Sequence, residues 1–315
     1  MIGVGNLGNR HLESLLKVDL PISVTAIDSS RQALETAHRT HGSDCRVTFT
    51  DRIEMLPNEL DFAVIATSSK PRRSVTEALL AHSYVRYLLL EKALFPRVED
   101  YYAVSQLLSE KKIKAWVNCA RRMFKFYQVL KEKLSGDSKM CFSITGGEWG
   151  MGCNAVHMLD LIAFLTGSPS GLILDTSSLD VGFISAKRTG YIEFTGLLTG
   201  SSSSCPCFVL NSVRGNTSPM IINIQSENNS ISIHEYAETA IMFNRGNNWR
   251  AEQTGLTIPY QSQLTGPLFE ELISSDTCNL TLFEESVKIH VPMIEAFLGH
   301  YQRAIGREED SCPIT

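Results

Sequence analysis

The chain has 315 residues, of which 43% are hydrophobic and 20% are charged, and its formal net charge is −5. This length allows two domains with real hydrophobic cores, while the acidic balance argues against nucleic acid, whose binding requires a basic face. No apolar run approaches the roughly 18 residues of a membrane span, and no signal-peptide pattern opens the chain, so we predict a cytoplasmic protein without membrane partners.

The first third of the chain alternates between strand and helix patterns. After a helix at 7–16, strands are predicted at 22–28, 46–50, 61–67, 84–90 and 115–118, with helices at 30–41, 74–82 and 98–110. Continuous apolar strands that are separated by helices are typical of a parallel sheet covered on both faces. We therefore predict an α/β fold whose N-terminal part, 1–117, is a doubly wound Rossmann domain.

From about residue 141 the pattern changes to alternating segments with turn residues between them. Strands are predicted at 141–149, 172–179, 191–198, 207–213, 220–226 and 230–237, with helices at 155–166 and 281–302. The serine run Ser201–Ser204 lies between two of these strands and is read as a hairpin loop. A second, α+β domain with a mostly antiparallel open sheet is predicted for 118–315.

A glycine-rich turn, GVGNLG, occupies positions 3–8 and has the G-x-G-x-x-G spacing of a dinucleotide site. The first glycine permits a tight bend, the second lets the backbone approach a pyrophosphate, and the third allows close helix packing. The following helix directs its free N–H groups at the phosphates. The predicted cofactor-binding residues of the turn are Gly3, Gly5, Asn6, Leu7 and Gly8.

An acid, Asp28, ends the next predicted strand, about 20 residues after the turn, where it would accept hydrogen bonds from a ribose 2′-OH. This acid favours NAD over NADP, because a carboxylate repels a 2′-phosphate. Arg31, three residues further on, keeps NADP as an alternative.

The strand that normally precedes such a turn is truncated, since only Met1 and Ile2 come before the first glycine. The first strand of this architecture lies centrally in the sheet. Two residues leave backbone groups of both neighbouring strands without partners, at ~1–3 kcal/mol each. We expect the natural chain to begin several apolar residues upstream.

Two further segments carry candidate chemistry. Glu91 and Lys92 end a buried strand, where ligands of doubly wound sheets bind. A lysine there can exchange a proton with a substrate hydroxyl if burial lowers its pKa; a surface lysine is the alternative. A glycine-rich segment at 146–152 leads into a helix with His157 and Asp160, which share one face. Asp160 could orient the imidazole, although a buried core histidine is the competing interpretation.

Together these segments resemble the Gfo/Idh/MocA family, the glucose-fructose oxidoreductase and inositol dehydrogenase group. The resemblance covers almost the whole chain and rests on GVGNLGNRH (3–11), DFAVIATSS (61–69), LLLEKAL (88–94), VNCARRMFKFY (117–127) and the helix around His157. It implies an NAD(P)-binding Rossmann domain and a second domain whose open sheet often forms oligomer contacts. It also implies oxidation or reduction of sugars, sugar nucleotides or polyols.

Residue by residue, the resemblance implies that Lys92 is the acid/base and that His157 contacts the reacting hydroxyl. Glu91 and Thr67 would line the cofactor site. The arginine pair would hold a substrate carboxylate or phosphate, with ion pairs at the surface as the equal alternative. The implied substrate-binding residues are Arg121, Arg122, Asn154 and Asp160.

Three positions depart from the family pattern. Ala93 replaces the proline usual after E-K, and Lys125 stands where a proline is common. Cys153 replaces an aspartate that is often found four residues before the histidine and that works with the lysine in proton transfer, so this assignment is weakened. Asn154 beside it can hydrogen-bond a substrate but cannot act as a base. The stretch GMGCNAVHMLDL (150–161) is nevertheless similar to a subgroup associated with bacterial surface-sugar biosynthesis.

The leading hypothesis is an NAD-dependent oxidoreductase acting on a small-molecule sugar, sugar-acid or nucleotide-sugar substrate, as a homodimer or homotetramer. The alternatives are a hydrolase or lyase of the same family that retains NAD, and a non-catalytic nucleotide-sensing protein. No metal site is predicted, because His38 and His41 lack further ligands at suitable spacing. The eight cysteines are expected to be reduced and mostly buried.

Overall fold

The computed structural model describes residues 1–315, which divide into two compact units. The first unit comprises Met1–Phe95, Glu99–Ala120 and Pro259–Phe283, and the second comprises Pro96–Val98, Arg121–Ile258 and Glu284–Thr315. The sequence places one boundary at 117/118. The structure differs because 259–283, far along the chain, returns to the first unit.

The two units contain eight α-helices and sixteen strands. The helices are α1 (Asn6–Leu15), α2 (Arg31–His41), α3 (Ser69–His82), α4 (Val98–Lys111), α5 (Lys125–Leu134), α6 (Met151–Thr166), α7 (Thr265–Ser275) and α8 (Phe283–Ile305). The strands are β1 (Val24–Ile27), β2 (Val47–Thr50), β3 (Glu59–Ile65), β4 (Tyr84–Leu90), β5 (Lys114–Val117), β6 (Cys141–Gly146), β7 (Ile173–Leu179), β8 (Ile184–Ser185), β9 (Ile192–Glu193), β10 (Gly196–Ser202), β11 (Cys205–Ser212), β12 (Ile221–Gln225), β13 (Asn229–His234), β14 (Thr239–Asn244), β15 (Ala251–Gly255) and β16 (Thr281–Leu282).

The first unit is the predicted Rossmann domain. Strands β3, β4 and β5 pair in parallel, β1 pairs in parallel with β2, and β16 adds an antiparallel edge to β5. The last four residues of β4 are all buried, as expected for a strand covered by helices on both faces. Every strand and helix predicted in the first third of the chain is present, with shifts only at the ends.

The truncated first strand is reduced to one bridging residue. Ile2 forms isolated parallel bridges to Ile27 of β1 and to Ile65 of β3. Its N–H group donates to the Val64 carbonyl at 2.8 Å, while the Ile27 N–H group donates to the Met1 carbonyl at 2.8 Å. Two groups of strands are thus joined at the centre of the sheet through Ile2.

A cavity of about 510 Å³ lies beside this bridge. Segments 23–25 and 59–64, which belong to the two strands that Ile2 joins, line it together with Leu15 and Phe269. The Met1 amino group is buried here and donates to the Thr25 carbonyl at 2.8 Å. Burial lowers the pKa of this amino group to about 5, because removal from water disfavours the charged form.

The second unit is built on an eight-stranded sheet with the order β15-β14-β13-β12-β6-β11-β10-β7. Only β6 and β11 pair in parallel, which confirms the predicted mostly antiparallel sheet. Strands β10 and β11 form a hairpin closed by the Ser202–Cys205 pair. The predicted hairpin loop is confirmed for Ser203 and Ser204 only, because Ser201 and Ser202 belong to β10. Helices α5 and α7 and strands β14 and β15 were not predicted.

All eight cysteines are free thiols, as expected. Only Cys119, Cys205 and Cys312 are buried, so the expectation that most of them are buried is wrong. None of the helices combines the length and hydropathy needed to cross a membrane.

Candidate functional site

The glycine turn has the geometry that its spacing predicts. Gly3 has a φ of +85°, and a Cβ atom there would lie 2.9 Å from the backbone of Ala66 and Thr67. A Cβ atom on Gly8 would lie 1.8 Å from the Gly3 carbonyl oxygen. No larger residue fits either position, because the chain bends sharply at Gly3 and α1 packs directly on the turn at Gly8.

The second glycine differs from the other two because it faces open space. A Cβ atom on Gly5 would meet nothing within 4 Å, and Gly5, Asn6 and Leu7 are all exposed. Gly5 precedes α1, and no side chain caps this helix. The first N–H groups of α1 are therefore open at the positive end of the helix dipole, in the arrangement that binds phosphate.

Asp28 is fastened to this turn. Its Oδ2 accepts a hydrogen bond from the Val4 N–H group at 2.8 Å, and its Oδ1 accepts one from the Ser30 N–H group at 2.8 Å. These two bonds fix the carboxylate at the end of β1 and against the turn. Each carboxylate oxygen keeps a further lone pair, so Asp28 can still accept hydrogen bonds from ribose hydroxyls.

Two buried polar atoms near the turn lack hydrogen-bond partners, Thr67 Oγ1 and Asn9 Oδ1. Thr67 lies two residues after β3, and Gly3 packs against its backbone and that of Ala66. Buried polar atoms normally have partners, so the Thr67 hydroxyl fits a position that a ligand completes. The open backbone at Gly5, the fixed Asp28 carboxylate and the Thr67 hydroxyl together fit a dinucleotide.

The strand end at Glu91 and Lys92 is the third part of the first unit's site. Lys92 is half-buried, whereas Glu91 is only 2% exposed. The Glu91 carboxylate accepts hydrogen bonds from His11 Nε2, at 2.9 Å, and from the Asn118 amide. Burial alone would raise the pKa of the Glu91 carboxyl, but the hydrogen bond and charge of His11, with the Asn118 bond, leave it below its usual range.

A buried arginine that the sequence analysis did not single out holds the neighbouring loops. Arg72, in α3, is 1% exposed. Its guanidinium donates to the Thr67 carbonyl after β3 and to the Ala93 and Leu94 carbonyls after β4. The three carbonyls belong to the loops that carry the predicted cofactor and catalytic residues. Within the segment KPRRS nothing distinguishes Arg72 from the surface arginine beside it.

In the second unit, His157 is half-buried on α6. The helix begins after Gly150, whose φ is +73°, and Asn154 donates from Nδ2 to the Trp149 carbonyl at 2.8 Å. Glu193 of β9 accepts a hydrogen bond from the Cys153 N–H group at 3.0 Å. The Glu193 carboxylate thus contacts the backbone of Cys153, the position at which the resemblance leads one to expect an aspartate.

The arginine pair has carboxylate partners inside the second unit. Arg122 donates from Nε and Nη2 to both oxygens of Asp160, each at 2.8 Å, and Asp160 is 1% exposed. Both oxygens of Asp160 thus accept a hydrogen bond from Arg122, and the orientation of His157 by Asp160 stays a prediction. Arg121 donates to both oxygens of Glu235, at 2.8 and 2.6 Å.

The second pair also involves the Tyr127 hydroxyl, which donates to Glu235 at 2.6 Å. Burial would raise the pKa of the Glu235 carboxyl, but the charge and hydrogen bonds of Arg121 and the Tyr127 bond lower it overall. Arg121 therefore holds an ionised partner. Among the described residues, no cluster of three or more His, Cys, Asp or Glu side chains could hold a metal ion.

Comparison with solved structures shows the same fold at low sequence identity. UDP-N-acetylglucosamine 3-dehydrogenase GnnA from Acidithiobacillus ferrooxidans is 14% identical, with a TM-score of 0.72 and 94% of each chain covered. An oxidoreductase from Agrobacterium radiobacter, in complex with NAD+, L-tartaric acid and magnesium, is 17% identical with a TM-score of 0.74, over 98% of this chain and 96% of that one. Levoglucosan dehydrogenase in complex with NADH is 14% identical with a TM-score of 0.73, over 96% of each chain.

At the sequence level, a search of curated proteins gave no match. Residues 1–119 match the Gfo/Idh/MocA family model, which describes an oxidoreductase family with an NAD-binding Rossmann fold. The matched range contains the glycine turn, Asp28 and the Glu91–Lys92 strand end, and these are the features whose geometry fits a dinucleotide. Residues 1–119 therefore match the NAD-binding Rossmann domain of the Gfo/Idh/MocA oxidoreductases, and the solved structures extend the likeness in fold to almost the whole chain.

Proposed function

We propose that this protein transfers hydride between NAD and a CH–OH carbon of a sugar, sugar-acid or nucleotide-sugar substrate. The observation that carries the proposal is the open phosphate cradle at Gly5, with the Asp28 carboxylate fastened to it. The sugar class is supported by the names of two structural neighbours, a UDP-N-acetylglucosamine 3-dehydrogenase and a levoglucosan dehydrogenase. The cradle's acid favours NAD over NADP.

The residues of the first unit would hold and orient the cofactor, which supplies the hydride acceptor or donor when bound. The open N–H groups that follow Gly5 bind the pyrophosphate, Asp28 accepts from the ribose hydroxyls, and Thr67 donates its hydroxyl to the dinucleotide. Lys92 takes the proton from the substrate hydroxyl during oxidation and returns it during reduction. These roles follow the family resemblance and agree with the position of each residue at the end of its strand.

The second unit would supply the substrate contacts. His157 hydrogen-bonds the reacting hydroxyl, and Asn154 contributes a polar group near the start of the same helix. Asp160, which the resemblance also gives to the substrate, is buried and would act through Arg122. The resemblance gives the arginine pair an anionic part of the substrate, and of the two we propose that Arg121 makes this contact while Arg122 holds Asp160. Because Cys153 replaces the family's aspartate, we assign proton transfer to Lys92 alone, with His157 in a supporting role.

The test is a panel of sugars, sugar acids and nucleotide sugars, each incubated with the purified protein and NAD while NADH absorbance is followed. We expect reduction with at least one substrate, its loss in Lys92→Ala, and its retention in Arg31→Ala, since Arg31 is exposed and paired with Glu35. NAD binding by Lys92→Ala, measured by fluorescence, is the control for folding. Tight NAD binding without net reduction of any substrate would contradict the proposal and favour the NAD-retaining hydrolase or lyase.

We also propose a homo-oligomer, formed through the open face of the eight-stranded sheet. The family resemblance supports this assembly, and residues of alternating exposure along β6 and β11 leave one face of the sheet uncovered within the chain. Native mass spectrometry gives the subunit count and shows whether NAD co-purifies. A monomer at micromolar concentration would contradict the oligomer while leaving the hydride-transfer proposal untouched.

A further inference from the structure

Five polar side chains of the first unit form a closed hydrogen-bonded ring, here called the His11 ring, which consists of His11, Glu91, Asn118, Gln261 and Thr265. His11 forms two of its bonds, from Nε2 to Glu91 Oε1 at 2.9 Å and from Nδ1 to Thr265 Oγ1 at 2.8 Å. Gln261 Nε2 then bonds to the same Thr265 hydroxyl at 2.9 Å. The Asn118 amide closes the ring, because its Nδ2 lies 2.8 Å from Gln261 Oε1 and also donates to Glu91 Oε1.

The hydrogen bonds of the His11 ring lead from the Asn118 amide to the Glu91 carboxylate by two routes, one direct and one through Gln261, Thr265 and His11. Asn118 donates to Gln261 and to Glu91, and Gln261 donates to the Thr265 hydroxyl. His11 shares a hydrogen bond between its Nδ1 and that hydroxyl, and its Nε2 donates to the Glu91 carboxylate. Three of the members, His11, Thr265 and Glu91, are at most 2% exposed. A buried ring in which each bond orients the next is rigid.

The ring joins four separate segments of the chain at one point. His11 lies on α1, the helix that follows the glycine turn, and Glu91 directly follows β4. Asn118 follows β5, and Gln261 and Thr265 belong to the segment that returns to the first unit after the second unit has been completed. Glu91 therefore cannot rotate without breaking bonds to two other segments.

Glu91 directly follows β4 and is covalently followed by Lys92, which lies in the bend after the strand. A fixed Glu91 side chain consequently fixes the backbone from which Lys92 projects. The glycine turn does not depend on this ring, because Gly3 donates to the Ile27 carbonyl at 2.7 Å and Val4 donates to Asp28.

We propose that the members of the His11 ring are positioning residues for Lys92. They act by locking the Glu91 side chain, not by contact with NAD or substrate. This inference rests on the proposed role of Lys92 in proton transfer, and it assigns a function to Gln261 and Thr265, which lie in sequence far from every family motif. It also changes the expected role of Glu91, from lining the cofactor site to anchoring the strand end.

The decisive variant is Thr265→Val, which keeps the shape of the side chain and removes the hydroxyl that links His11 to Gln261. We expect kcat to fall about tenfold, since small displacements of a catalytic group have effects of this size or larger, while the NAD dissociation constant changes less than about twofold because the turn is held separately. Thr265→Ser restores the hydroxyl and should restore kcat.

A second readout is independent of turnover. In the protein without substrate, the rate at which acetic anhydride labels Lys92 is followed by peptide mass spectrometry and normalised to exposed lysines such as Lys111. Amine reactivity depends on the local environment, so Thr265→Val should change the relative labelling rate of Lys92 about threefold or more. This measurement remains informative even if no substrate is found, so a failure of the proposed function is distinguished from a failure of the ring.

The matched control is Thr195→Val in the second unit. Thr195 is also fully buried and donates its hydroxyl to a single acid, Asp180, at 2.6 Å. It should lower the unfolding midpoint without altering Lys92 labelling or kcat. Should Thr265→Val fail to fold, Gln261→Met breaks the same ring at its half-buried member. Labelling and kcat that stay at wild-type values in a folded ring variant would overturn the proposal.

Discussion

Extending the chain ahead of Met1 with two valines should stabilise the first unit by several kilocalories per mole. The backbone of Ile2 is hydrogen-bonded to β3 and that of Met1 to β1. Residues added before Met1 would therefore bond to β3 and β1 in turn. The first added residue would pair with the Val64 N–H and Phe62 carbonyl groups, and the second with the Thr25 N–H and Ser23 carbonyl groups. Both would enter the 510 Å³ cavity.

The magnitude follows from four contributions. Four hydrogen bonds contribute about 1 kcal/mol each, and two buried valines contribute about 2 kcal/mol each. Ordering the extension opposes this by about 1–2 kcal/mol for each residue, plus a smaller side-chain term. Moving the amino group out of the interior adds about 1.4 kcal/mol at pH 7, because its pKa falls from 8.0 to about 5 on folding. The net stabilisation is about 5 kcal/mol.

The amino group gives this prediction a characteristic pH dependence. Its folded pKa lies below its unfolded pKa, so the unextended chain loses stability as pH falls from about 8 towards 5. The difference in unfolding free energy between the extended and unextended chains should therefore grow by about 1.3 kcal/mol from pH 7 to pH 6. The part of it that comes from the amino group should vanish above about pH 9.

Urea unfolding monitored by fluorescence, at several pH values, measures the effect. The extension Met-Lys-Val-Val is compared with Met-Lys-Gly-Ser, which moves the amino group equally far but adds no apolar side chain and no preference for an extended conformation. Equal stability of the two extended proteins would refute the idea that the cavity accepts a strand. An unchanged pH dependence in both would refute the burial of the Met1 amino group.

Three further variants test the site. Gly8→Ala should prevent stable folding of the turn, because its Cβ atom would meet the Gly3 carbonyl oxygen at 1.8 Å; circular dichroism and urea unfolding measure this loss. Gly5→Ala should unfold like the wild type but bind NAD at least about tenfold more weakly, as measured by fluorescence titration, because its Cβ atom meets only the space intended for phosphate. Asp160→Asn should lower the free energy of unfolding by about 3 kcal/mol, since it leaves the buried Arg122 charge without its carboxylate; an effect below 1 kcal/mol would show that the pair is solvated.

Much of the first unit could be predicted because its signals are local. A run such as YVRYLLL at 84–90 marks a strand buried on both faces, and the glycine spacing marks a turn whose steric limits are met within a few residues. Helix α7 and the segment before it were not assigned to this unit. Their place depends on contacts such as that of Thr265 with His11, which are separated by 254 positions and leave no periodic signal in either segment.

The site was predicted in part for the same reason. Asp28 and Lys92 stand at strand ends, where topology alone brings ligand-binding groups together. The partners of Glu91 and Arg122 could not be read from the sequence, because each is chosen by packing between distant segments. Helical spacing predicts that His157 and Asp160 share one face of α6. It gives no indication that the turn before α5 brings Arg122 to Asp160.

The Arg122–Asp160 and Arg121–Glu235 pairs differ in the free energy needed to turn the guanidinium from its carboxylate to a substrate anion. Taking Arg122 from Asp160 would leave a carboxylate that is 1% exposed without its partner, a loss of about 3–5 kcal/mol. One charge-assisted bond to the substrate returns only about 1.5–3 kcal/mol. Arg121 is in a better position, because Glu235 would keep its hydrogen bond from Tyr127 and both side chains of that ion pair retain solvent contact. If the substrate carries a phosphate or carboxylate, Arg121→Gln should therefore raise its KM about tenfold, whereas Arg122→Gln should mainly lower the free energy of unfolding. A larger rise in KM for the Arg122 variant, at unchanged stability, would reverse this assignment.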